Sequence, residues 1–350
     1  MKRPISITLI LSLSLWIMGI LPGTAFSKPL EITVMTHDSF SVSKKVVAIF
    51  EKREQVKIRF LKAGDAGAAL NQAILSKNNP LADVFYGVDN TFISRALKAG
   101  VFIAYPSPLL RHIPDELKLD IQNRLLPVDF GDVCLNYDKK WFQKKGIQPP
   151  QDIAALVDPR YKNLTVVENP ATSSPGLAFL MATVGRFGEQ GYQEYWKKLT
   201  KNGVLVTKGW QEAYWGSFSA ASKGNRPIVV SYASSPPAEV FYAKKKPAEA
   251  PTAAVTSPGS CFRQIEFVGI LKGTKKLKLA QKLIDFMLDT DFQEDIPLQM
   301  FVFPSNRKAS LPQVFTKHTV TAEQPVMLAP ERIATQRENW IETWTDIVLR

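Results

Sequence analysis

Short apolar runs with strand character alternate with amphipathic helical segments along this chain, and no other feature narrows its fold as much. Residues 32–35, 56–61 and 82–88 read as strands. Between and after them, 44–54, 68–75 and 91–98 read as helices, the first with Val46, Val47 and Phe50 on one side. The pattern resumes with strands at 163–167, 204–206 and 228–232, and with helices at 175–184, 190–198 and 212–222. Such alternation builds a parallel sheet with crossover helices. Two successive units predict an α/β protein of two lobes. The extended runs 133–137 and 261–270 belong to neither unit and are expected to cross between them. Residues 277–288 form a further helix with Leu279, Leu283, Ile284 and Met287 inward, and 330–348 another, whereas 247–251, with Pro at both ends, reads as an exposed loop. The expected organisation is a first lobe over 28–130, with 262–300 returning to it. A second lobe covers 135–258, with part of 301–350 packed on it.

The first 27 residues stand apart. Lys2 and Arg3 precede an uncharged, mostly apolar stretch closed by Pro22-Gly23, and Ala25-Phe26-Ser27 places small residues where a signal peptidase reads. This predicts a cleaved secretory signal rather than a membrane anchor, and an exported mature protein. No later apolar run is long enough for a span. In an oxidising compartment a pair of cysteines is more often bonded than free, so Cys134 and Cys261 are expected to form a disulfide, although sequence alone does not bring them within reach. The net charge of +12 comes from scattered Lys and Arg, densest at 244–246 and 275–276. Scatter of this kind, in an exported chain, argues against a nucleic-acid partner.

Enzyme signatures are missing. The three His are His37, His112 and His318, and the chain has no G-x-S-x-G, H-E-x-x-H, P-loop or G-x-G-x-x-G motif. No cofactor is implied. Loop tips carry a different signal. In open α/β sheets ligands sit off the carboxyl ends of strands, which selects Asp38, Asp65 with Ala66, and Asp89. Ser173 and Ser174 open a helix, where hydroxyls and free N–H groups meet polar or anionic groups, the plain alternative being an N-cap. Trp210 and the run Tyr232-Ala233-Ser234-Ser235 end strands, with core packing and a simple turn as alternatives. Trp210, Tyr214, Trp215, Tyr232 and Phe301 together make a candidate aromatic box for a flat or cationic ligand.

Six segments carry a resemblance: Thr36-His-Asp-Ser-Phe40, Ala82-Asp-Val-Phe-Tyr-Gly-Val-Asp-Asn90, Ala171-Thr-Ser-Ser-Pro-Gly176, Val206-Thr-Lys-Gly-Trp-Gln-Glu-Ala-Tyr214, Ser231-Tyr-Ala-Ser-Ser-Pro236 and Ala334-Thr-Gln-Arg-Glu-Asn-Trp340. Through them most of the mature chain resembles the periplasmic thiamine-binding proteins of ABC importers. The resemblance implies a type II periplasmic binding protein fold with a ligand cleft between lobes. It implies thiamine or a thiamine phosphate as ligand, an ABC permease as membrane partner, a monomer, a periplasmic location and no catalysis. Asp65 and Ala66 stand where the family contacts ligand from the first lobe. Ser173 and Ser174 match its hydroxyl pair, Trp210 its stacking tryptophan, and Tyr232 to Ser235 its strand-end loop. The chain departs from the family at His37 (often Tyr), Ala66 (Gly), Asp132 (commonly aromatic) and Phe301 (Trp). Asp132 would suit a cationic thiazolium if it faced the cleft. The alternatives are the same fold binding a polyamine or ferric iron, and a secreted enzyme acting on a thiamine-like ring with a cysteine nucleophile.

Overall fold

The computed structural model describes residues 30–350, so the expected signal at 1–27 lies outside the described residues. Its strands are β1 (Leu30–Thr36), β2 (Val56–Lys62), β3 (Val84–Asp89), β4 (Phe102–Ile103), β5 (Leu126–Asp138) and β6 (Thr165–Glu168), then β7 (Leu205–Thr207), β8 (Ile228–Tyr232), β9 (Thr252–Val255), β10 (Phe262–Leu271) and β11 (Phe303–Pro304). They form one sheet with the path β2-β1-β3-β10-β5-β8-β6-β7, and β4, β9 and β11 pair at its sides. The two outer triads, β2-β1-β3 and β8-β6-β7, are parallel, as helical crossovers require. The two long central strands, β5 and β10, are antiparallel to each other and to their other neighbours on the path. These are the two runs expected to cross between units. β5 begins seven residues earlier than the apolar run 133–137 suggested, because Leu126, Pro127 and Val128 are buried as well.

Cys134 and Cys261 sit at the junction. β5 and β10 pair Val133 with Phe262, which sets the two cysteines opposite one another, and they are bonded with their Cα atoms 4.4 Å apart.

The two largest buried clusters cover most of the sheet. One packs the helices Lys44–Glu54 and Leu277–Leu288 on the β1–β3 side through Phe50, Leu283, Ile284, Phe286 and Met287. The other runs from β3 across β5 to the helix Ser174–Lys201, where Trp196 meets Trp344 edge to face at 5.5 Å. That helix is two segments meeting at Gly188, whose φ of 74° breaks the α-helical path, in accord with the two helices expected there. The terminal helix Pro330–Val348 lies against the second segment and also reaches the first half, placing the Arg337 guanidinium 4.8 Å from the Phe92 ring centre.

The helix expected over 212–222 is shorter. One turn at Trp210–Glu212 widens into a π-turn at Ala213–Ser217, and the chain is extended at Phe218. Tertiary contacts override the local pattern here: Arg226 N–H donates to Ser217 O, and Ser219 Oγ donates to Asp138 Oδ2 at 2.6 Å.

Candidate functional site

The carboxyl ends of β1, β2, β7 and β8 converge with the central strands on one cavity of about 270 Å³. Ten of the residues expected from sequence line it: Asp38, Asp65, Ala66, Ser174, Trp210, Tyr214, Trp215, Tyr232, Ser235 and Phe301.

The aromatic side is held by a relay of hydrogen bonds. Trp210 stacks on Tyr214 with ring centres 4.8 Å apart and planes at 21°, and Trp215 closes edge-on at 6.2 Å from Trp210. Trp210 Nε1 donates to Ser231 Oγ at 2.8 Å, and Ser231 meets Ser235 at 2.9 Å. Behind them Tyr214 OH bonds Glu239, whose other oxygen accepts from Thr252 Oγ1 at 2.8 Å. Burial pushes Glu239 up to about 7 against these hydrogen bonds. The indole thus keeps its orientation without help from a ligand. Phe301 completes this side with a φ of 55°, a conformation costly for a residue with a β-carbon. Ser234 Oγ holds it by donating to Phe301 O at 2.5 Å. Ser234 therefore serves the cavity from behind and does not line it.

Carboxylates line the same cavity. Asp65 caps the helix Ala66–Leu75 by accepting from Ala66 N–H through Oδ1 at 2.8 Å. Its Oδ2 faces Gly209, where a β-carbon would stand only 2.8 Å away. Gly209 therefore lets the chain before Trp210 approach the carboxylate. Burial raises Asp65 above the usual carboxylate range, opposed by the Ala66 N–H and His37. Asp38 is exposed at the rim, accepting from Gly64 N–H at 3.1 Å, and Lys62 Nζ donates to its carbonyl at 2.7 Å.

Asp89 does not line the cavity. It is buried, accepts from Thr91 N–H at 2.7 Å and from the Thr91 and Ser174 hydroxyls, and is pushed up to about 6 by burial. It positions Ser174. Ser173 is buried behind Ser174, and Ala233 packs on the disulfide. Asp132 is turned elsewhere. β5 and β10 set it directly opposite Arg263, which donates through Nε at 2.9 Å and Nη2 at 3.0 Å, and Ala322 N–H donates at 2.9 Å. Its charge is spent within the protein, so it is not the cleft carboxylate a facing Asp132 would have been.

Sequence reasoning passed over Glu266. It lies inside a largely buried strand, and it lines the cavity with a side chain 8% exposed. Paired bulges bring this about. Between residues 266 and 268 of β10, one residue goes unmatched on each neighbour: Val128 of β5 and Gly87 of β3. Bulges re-aim side chains. Gly87 has a φ of 109°, and a β-carbon there would lie 2.5 Å from His37 Cδ2, so only glycine leaves room for the imidazole. His37 Nε2 then sits 3.4 Å from Glu266 Oε1. Tyr242, Met300, Gln211 and Gln299 also line the cavity without having been anticipated.

The arrangement suits a flat, positively charged molecule, with π faces and buried carboxylates lining the same cavity. Among the described residues, no group of three or more His, Cys, Asp and Glu is disposed to hold a metal ion, and no helix is long and apolar enough to cross a membrane.

Known proteins agree with this geometry. Residues 79–322 match the model of the bacterial extracellular solute-binding protein family. The thiamine-binding periplasmic protein of Escherichia coli (strain K12) is 32% identical over 330 residues, covering 93% of this chain and 95% of that one. The solved structure of a periplasmic thiamin binding protein superposes with a TM-score of 0.81 at 29% identity, covering 95% of this chain and all of that one. Iron-bound HitA from Pseudomonas aeruginosa shares the fold at a TM-score of 0.75 and 16% identity, covering 91% of this chain and 99% of that one. With its two-lobed α/β architecture and its cleft at the crossover strands, the chain belongs to the bacterial extracellular solute-binding protein family.

Proposed function

We propose that this protein is a periplasmic receptor that closes on thiamine or a thiamine phosphate and presents it to the permease of an ABC importer. The observation that carries the reading is the cavity's mixed chemistry: Trp210, Tyr214, Tyr232 and Phe301 line it together with Asp65 and Glu266. A thiazolium is a flat cation, and an aminopyrimidine is a flat ring with polar edges. Stacking and cation–π attraction serve both rings, while the carboxylates supply the counter-charge that a chain of net charge +12 must provide locally. Ser174 and Ser235 offer hydroxyls to the ligand's polar groups, and Lys62 stands at the rim for a phosphate. The names carried by relatives at about 30% identity point the same way.

In this reading residues 28–130 with 262–300 form one lobe and 135–258 the other. The terminal helix straddles them, and β5 and β10 act as the hinge, with closure burying the ligand. The protein works as a monomer, exported through a cleaved signal, and makes or breaks no bond in its ligand.

The test is titration of mature protein, unfolded and refolded to strip bound ligand, with thiamine, its mono- and pyrophosphate, and spermidine. Tryptophan fluorescence reports binding and calorimetry checks it. Saturable binding of a thiamine form, weakened in Trp210→Ala, is the expected result. Binding of spermidine alone would keep the fold and overturn the ligand.

A further inference from the structure

Four titratable side chains from four elements form a chain beneath the cavity. His37 follows β1, Tyr86 is on β3, Asp129 on β5 and Glu266 on β10. Tyr86 OH lies 2.5 Å from Asp129 Oδ2 and 2.9 Å from Glu266 Oε2. A phenol has one proton and can donate it to only one of two carboxylates. The second contact needs a proton on a carboxyl group, and burial beside the Glu266 charge assigns that proton to Asp129. Glu266 keeps its charge. Burial alone would neutralise it, but His37 and the bond from Tyr86 hold it below the usual range. Burial likewise opposes a charge on His37, and Glu266 outweighs it and raises the imidazole above 6.5.

Only His37 and Glu266 of the four line the cavity. Their 3.4 Å contact is longer than a tight charge-assisted hydrogen bond, so Glu266 Oε1 presents a buried negative charge that the imidazole satisfies loosely. Other charges around the pair are named by element. Asp65, before the helix Ala66–Leu75, favours protonated His37, and Lys62 at the end of β2 disfavours it. Asp89 at the end of β3 and the Tyr232 phenol on β8 both feel Glu266 but accept no proton from His37. Among the described residues Nε2 makes no hydrogen bond to a base that could take its proton, so a proton leaving His37 goes to solvent.

We propose that the His37–Glu266 pair is an exchangeable counter-ion, in which the ligand's cation takes the place of the His37 proton beside Glu266. Binding then releases up to about one proton, and affinity rises with pH while His37 of the free protein is protonated, by at most about tenfold per pH unit. This deepens the functional reading and rests on it: the cation is the thiazolium. It also gives His37 a role that a phenol at that position could not fill, since a phenol is neutral and does not titrate between about pH 6 and 8.

The experiment is calorimetry of thiamine binding to the mature protein at about pH 6 and about pH 8, in buffers of contrasting ionisation enthalpy. Proton release at the lower pH that fades at the higher one, with tighter binding at the higher, is expected. His37→Tyr is expected to bind thiamine with no proton release and no pH dependence, and Glu266→Gln to bind at least about tenfold more weakly with no release. Should either variant misfold, NMR of the native protein decides, because the chain has only three His and His37 is resolved by comparison. Its titration midpoint is expected to fall when thiamine is added. Thiamine binding without proton exchange, or with an unchanged His37 midpoint, overturns the exchange and leaves the receptor reading standing. Failure of thiamine to bind at any pH overturns both.

Discussion

Replacing Cys134 and Cys261 together by Ala tests how the two halves of the chain are tied. The bond joins residues 127 apart and closes a loop that contains β6 to β9 and their helices. In the chain-entropy account the unfolded state loses roughly 2.1 + 3 ln n cal/mol/K on closure, which for this loop is about 5 kcal/mol at 25 °C. Residual structure in the denatured chain lowers the measurable part to about 3–5 kcal/mol. The packing change is small beside this, because each Ala removes one sulfur from a site that the antiparallel register already closes. Urea unfolding followed by circular dichroism and tryptophan fluorescence gives both midpoint and slope. The double variant is expected to lose about 3–5 kcal/mol and to show a larger m, since an uncrosslinked chain exposes more surface. Neither cysteine lines the cavity, so thiamine affinity should hold within about threefold. A loss below about 1 kcal/mol with unchanged m would refute the unfolded-state account. A large loss with unchanged m would place the effect in folded-state packing at the crossover.

Other perturbations address the cavity and its supports. Trp210→Ala should weaken thiamine binding by about 1–3 kcal/mol by calorimetry, through lost stacking, with the thermal midpoint nearly kept. Gly209→Ala should weaken binding about tenfold or more, because its β-carbon would displace Asp65 Oδ2, and a crystal structure would show the carboxylate moved. Asp132→Asn should do the opposite, costing about 2–4 kcal/mol of stability by leaving Arg263 half-paired while affinity stays within about twofold. Glu239 gives a pH signature. Its folded-state value of about 7 against 4.5 means that the native protein keeps a proton the unfolded chain has lost. Stability from this group is therefore highest below pH 4.5 and falls as pH rises to about 7, by about 3 kcal/mol in all. Glu239→Gln should flatten that part of the stability–pH curve, measured by urea midpoints.

Most parts of the site legible in the sequence share one property: they lie where a strand ends or a helix begins, whereas Tyr214, Trp215 and Phe301 are legible only as aromatic rings. Asp38, Asp65, Ser174, Trp210, Tyr232 and Ser235 were found this way, because crossover topology gathers such positions on one edge of the sheet whatever its detailed register. Asp132 and Glu266 lie inside strands, and there position along the chain decides nothing. Arg263 meets Asp132 across 131 residues of sequence only because β5 and β10 pair in that register. One step of slip would turn both to other faces. Glu266 depends on the same register and on two bulges, one needing Gly87 for its backbone and for the space His37 fills. No local pattern near 266 contains that information, which is spread over β1, β3, β5 and β10. A carboxylate flanked by Ile265, Phe267 and Val268 in a buried strand is nonetheless a signal. Burying a charge costs several kcal/mol unless something repays it, so Glu266 in that run already demands a partner. The Tyr86 hydroxyl serves one oxygen at 2.9 Å, and the imidazole meets the other loosely, at 3.4 Å. The unspent part of that charge is what a cationic ligand would find on entering the cleft.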